Sequence, residues 1–150
     1  MQTRLPHLAL FLALLLPATL PAADQPKPEH EETALDDAMS SMNSAFRKLR
    51  RQVADPQQNP ESLALVARLR AASVEASHAL PTKISRLPAT DQATAKAAYA
   101  AKMKELIATV DALAAALQAG KNPEAAALLK ELARQEAAGH DQFRTKKKND

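Results

Sequence analysis

Apolar residues recur along most of this 150-residue chain at alternating spacings of three and four, and prolines cut that pattern into four stretches. An apolar stripe with this period belongs on one face of an α-helix, because residues three and four apart sit above one another on its surface. Leu35, Met39, Met42, Phe46, Leu49 and Val53 make the first stripe, with Thr33 as its candidate N-cap and Asp36 three residues on. Pro56 in Ala54-Asp55-Pro56 stops it, since proline lacks an N–H and disfavours helix in the residue before it.

A second helix opens at Asn59-Pro60 and carries Leu63, Val66, Leu69, Ser73 and Ala76 inward before Pro81. Residues 81–91, with two prolines, read as a loop. The third helix, from about Gln92 to Ala119, carries Tyr99, Met103, Leu106, Val110, Leu113 and Leu117, and Gly120 ends it as a left-handed cap. Asn122-Pro123-Glu124 opens a fourth, striped by Leu129, Leu132, Glu136, His140 and Phe143. Four amphipathic helices with short links bury their stripes most economically as an all-α, antiparallel up-down-up-down four-helix bundle. Ten prolines, two glycines and 3% aromatic residues suit that class and not a sheet.

The flanks read differently. Residues 1–23 pair one basic residue, Arg4, with an apolar run from Leu8 to Leu16 and a small-residue segment, the pattern of a cleaved secretory signal. That run is too short for a bilayer-spanning helix of roughly 20 residues, so no membrane span is expected in the mature chain. Residues 24–32 read as a flexible leader, 33–145 as the bundle and 146–150 as a basic tail. Losing Arg4 and no acid takes 20 basic residues to 19 against 17 acidic ones, a net charge of +2, which implies no nucleic-acid partner. Without cysteine there is no disulfide, no thiolate metal site and no thioether-linked cofactor. No phosphate loop, HExxH or nucleophile–base set is present, so no enzymatic activity is expected.

In such a bundle the first and last helices run antiparallel, which brings the start of one to the finish of the other. Met39 and His140 fall at that shared end, each on an apolar stripe. Taken singly, Met39 also reads as core filling and His140 as a cation favoured at a helix C-terminus. Taken together, a thioether facing an imidazole suits the axial positions of a haem iron. His78, expected near an exposed helix end, and His30, in the leader, are assigned no role.

Several segments carry a resemblance. Leu35-Asp36-Asp37-Ala38-Met39-Ser40-Ser41-Met42, Arg70-Ala71-Ala72, Pro81-Thr82-Lys83, the run from Val110-Asp111-Ala112-Leu113 to Gly120-Lys121, and His140-Asp141-Gln142-Phe143-Arg144 resemble soluble cytochrome b562, in order, over roughly residues 34–144. The resemblance implies a periplasmic electron carrier that binds one haem b non-covalently and passes electrons to an unidentified redox partner protein. It further implies Met39 and His140 as iron ligands, Tyr99 and Met103 against the haem, and Arg144 as a basic residue beside it. The chain departs from the family at Glu136, where an arginine is usual, at Gly139 and Met103, where aromatic residues are, and at Met42, where a leucine is. Glu136 and the alanine-rich third helix also motivate another reading: a haem-free bundle that binds a partner, a metal ion or client chains.

Overall fold

The computed structural model describes residues 29–145, and the expected signal segment and basic tail lie outside them. Four long helices carry the fold: α1 (Glu29–Gln52), α2 (Asn59–His78), α4 (Ala89–Gln118) and α5 (Asn122–Phe143), with one turn of helix, α3 (Thr82–Ser85), between α2 and α4. A 3₁₀ turn over Pro56–Gln58 links α1 to α2, started by Asp55, whose carboxylate accepts the Gln57 N–H at 3.0 Å. Among the described residues there is no β-strand. The chain is an antiparallel four-helix bundle, as its stripes require.

Two boundaries differ from expectation. α1 opens at Glu29, four residues ahead of Thr33, inside the stretch expected to be a flexible leader. Glu29, Glu31 and Glu32 supply the reason, because acidic residues in a first turn favour the positive end of the helix dipole. The expected loop at 81–91 contains α3 and the first turn of α4, which begins at Ala89 and not Gln92. Ile84 on α3 is 1% exposed and joins the core, so burial of one side chain orders a segment its prolines mark as a loop. Pro88 precedes α4, where its missing N–H costs nothing.

The third stripe is buried in full: Tyr99, Met103, Leu106, Val110, Leu113 and Leu117 all face the core. In α2 the expected face is buried at Val66, Leu69, Ser73 and Ala76 and differs at its start. Ser62 and Leu65 are buried where Leu63 is only half-buried. Ser62 accepts a hydrogen bond from Gln52 Nε2 at 3.1 Å, so a small polar residue sits between α1 and α2 with its oxygen satisfied. Gly120, at φ 68°, ends α4 as expected, and the Gly120 and Lys121 N–H groups return to the Leu117 and Ala116 carbonyls at 3.1 and 2.9 Å.

The two ends of the bundle are built differently. At one end Asn59 and Asn122, which open α2 and α5, pair their amides at 2.7 and 3.3 Å. Asn122 Nδ2 also donates to the Val53 carbonyl at the end of α1 (2.8 Å), and Asn59 Nδ2 to Leu117 at the end of α4 (3.3 Å). Each asparagine thus closes the last turn of a helix in the other hairpin. The remaining seams are unequal too: α1 packs closely on α2, α2 on α4 and α4 on α5, whereas α1 and α5 meet only sparsely. The end opposite the asparagines is therefore open along the α1–α5 seam.

Candidate functional site

The open end holds a cleft of about 510 Å³, within the range of small-molecule sites, roughly 300–1,000 Å³. α1 contributes Leu35, Met39, Met42 and Phe46 to its wall, α4 contributes Tyr99, Met103 and Leu106, and α5 contributes Leu132, Glu136, His140 and Phe143. All five residues singled out in the sequence, Met39, His140, Tyr99, Met103 and Arg144, line this one cleft. Met39 stands on α1 and His140 on α5, on the two sides of the sparse seam, and both are half-buried. Met103 is buried at 5% exposure, and Arg144, where the chain leaves α5, is exposed. His78 is exposed on α2, and His30 has no described side chain.

Tyr99 organises the wall at the back. It is 6% exposed, its hydroxyl donates to the Ala76 carbonyl at 2.6 Å, and its ring meets Phe143 edge-on with centroids 5.2 Å apart and planes at 77°. One side chain thus ties the end of α2 and the end of α5 to α4, in a geometry that aromatic quadrupoles favour. The last turn of α5 is held from outside as well, by Lys83 Nζ donating to the Gln142 carbonyl at 2.7 Å. His140 is therefore carried on a helix end fixed at two points.

Burial pushes the Tyr99 hydroxyl up to about 12 from its ordinary 10.0. A raised pKa on an acid gives stability that is complete below pH 10 and disappears as pH climbs through 12, because the unfolded chain releases this proton first. Tyr99 is the chain's only tyrosine, so tyrosinate absorbance reads it directly. The apoprotein should titrate near pH 12 when folded and near 10 in denaturant. Tyr99→Phe should lose about 1 kcal/mol at neutral pH, through the lost hydrogen bond to the Ala76 carbonyl, which keeps only the Ala79 N–H at 3.2 Å, and should lose less on going from pH 10 to 12 than the parent does.

The cleft's polar residues are few. Asp36 and Glu136 are acidic, Lys102 and Arg144 basic, and Ser40, Asn43 and Gln135 neutral. Gln135 donates from Nε2 to Thr109 Oγ1 at 3.0 Å, while its Oε1 is the one buried side-chain polar atom without a partner among the described residues. Among those residues no group of three or more His, Asp or Glu could hold a bare metal ion. The donor set suits a flat, largely apolar ligand bearing a metal: apolar and aromatic walls, a thioether and an imidazole on facing helices, and two cations for carboxylates. Leu106, Leu132, Gln135 and Lys102 also line the cleft, although nothing in the stripes or the resemblance marked them as site residues. Lys102, beside Met103 on α4, lay one position off the apolar stripe, and that adjacency was the available signal.

Two comparisons bear on this arrangement. The cytochrome b562 family model matches residues 34–144, which takes in α2, α4 and α5, all of α1 but its first five residues, and every cleft residue. No curated protein matches the chain.

Proposed function

This chain belongs to the cytochrome b562 family, which implies a haem-binding electron carrier, and from that premise we propose a periplasmic b-type cytochrome whose single non-covalent haem is held between Met39 and His140. One observation supports the reading above the others: Met39 and His140 stand on the facing helices of one cleft whose other walls are apolar and aromatic. A bound haem supplies one-electron iron chemistry, and a thioether opposite an imidazole favours its ferrous state. The absence of cysteine supports a non-covalent mode. Tyr99 and Met103 would pack against the ring and exclude water, and Arg144 would stand by its carboxylates. Among the described residues no helix is long and apolar enough to cross a membrane, which is compatible with export to the periplasm after cleavage near residue 23. The redox partner is a protein of unidentified kind.

Glu136 favours a second reading, because a half-buried carboxylate inside the cleft repels the carboxylates of a haem. A haem-free bundle that binds a partner, a metal ion or client chains would keep this fold. Titration of the mature apoprotein with haem decides between them. One equivalent should bind, giving a low-spin ferrous spectrum with sharp α and β bands. The melting temperature should rise with it, since a ligand specific to the folded state adds roughly 4 kcal/mol at a thousandfold excess over Kd. Weak, unsaturable uptake would remove the cytochrome reading.

A further inference from the structure

The family's usual cation at position 136 is an acid in this chain, and the cleft still holds two cations. Arg144 is one, expected from the resemblance; Lys102 on α4 is the other, and no reading above gives it a role. The Gln135–Thr109 hydrogen bond fixes the register of antiparallel α5 and α4. Two turns outward along each helix from that bond bring Lys102 level with Gln142, beside the last turn of α5 that carries His140. Glu136 lies about two turns deeper than this level.

Gly139 occupies that same stretch of α5 and lines the cleft. A glycine inside a helix is unfavourable relative to alanine, and no close approach requires this one, since a Cβ there would meet nothing within 4 Å. The bare backbone leaves open space between the α4 flank, where Lys102 sits, and the ring-sized space in front of His140. Among the described residues Lys102 is held by an exposed ion pair to Glu105, at 2.9 Å, with both side chains about half exposed, so its ammonium exchanges partners at little cost.

We propose that Lys102 anchors the carboxylate edge of the cofactor, reaching across the gap left by Gly139, so that this edge points to the α4–α5 side of the cleft and away from Glu136. The inference rests on the haem reading and names the chain's own substitute for the family's arginine. Lys102 is a positioning residue: it binds the ligand's anionic groups and does not touch the iron.

Haem and haem dimethyl ester, whose carboxylates are capped, separate this role from a merely structural one. Lys102→Gln should weaken haem binding by about two- to fivefold at low ionic strength, with the difference shrinking in salt. It should leave binding of the dimethyl ester and the melting temperature of the apoprotein unchanged, and Lys102→Arg should restore haem affinity. The reduction potential of the Lys102→Gln holoprotein should fall, because a nearby cation favours the state carrying one more electron. Equal haem affinity in parent and Lys102→Gln overturns the proposal while leaving the cytochrome reading intact, and so does an equal loss for haem and its ester. Failure of the parent to bind either compound overturns the cytochrome reading, and this inference with it.

Discussion

His140→Ala should abolish low-spin haem binding and lower affinity by about 100-fold or more, since loss even of groups that merely orient a metal ligand costs 10–100-fold. The bundle itself should survive the change. His140 is half-buried, and the cores of α4 and α5 rest on Leu106, Val110, Leu113, Leu117, Leu129 and Leu132, all buried. Met39→Leu tests the other side of the cleft at nearly constant volume. It should leave haem bound, because the apolar walls remain, but turn the iron high-spin and lower its reduction potential. Met42 sharpens the assignment: it lines the same cleft from the next turn of α1 and is 9% exposed. Met42→Leu should preserve the low-spin spectrum that Met39→Leu loses. The opposite pattern would make Met42 the ligand.

Asn122→Ala should be the most destabilising single change at the end far from the cleft, costing about 2–4 kcal/mol, and roughly 10 °C in melting temperature for a domain of this size. The residue is 3% exposed, and its amide supplies both hydrogens: one to the Val53 carbonyl, one to Asn59 Oδ1. Removing it strands the Val53 carbonyl and Asn59 Oδ1 together, which exceeds the loss of one ordinary hydrogen bond. Asn59→Ala should cost less, because Asn59 is only half-buried and the bonds it donates are longer, at 3.3 Å. The double variant should fall short of the sum, since the two share bonds. Thermal unfolding followed by circular dichroism checks all three, and the haem spectrum of Asn122→Ala should match the parent's.

The helices were legible because their stripes are strong. The stripe from Tyr99 to Leu117 is buried in every member. The face of α2 was harder to read at its start, because Ser62 is 0% exposed and a count of apolar residues scores it as surface, whereas Ser73, also 0% exposed, fell on the stripe by its spacing. Each is buried with its oxygen satisfied, Ser62 by Gln52 and Ser73 by the Leu69 carbonyl at 2.8 Å. The amide pair was written twice, as Asn59-Pro60-Glu61 and Asn122-Pro123-Glu124, and each copy reads locally as a helix start. That the two starts meet is a fact of topology, invisible along the chain. The cleft was legible through the proposed ligand pair, since Met39 and His140 lie on stripes that antiparallel packing must bring together, and both line it. Lys102, Gln135 and the open space at Gly139 depend on helix register and on what a missing side chain leaves, which no periodicity encodes.

With one tyrosine and no tryptophan in the chain, the intrinsic ultraviolet emission of the folded protein comes chiefly from a single place, the back wall of the cleft. Anything absorbing in the near ultraviolet that seats there lies against Tyr99 and quenches its emission by energy transfer. The protein thus carries its own optical gauge of occupancy, which follows filling and emptying of the site without a label.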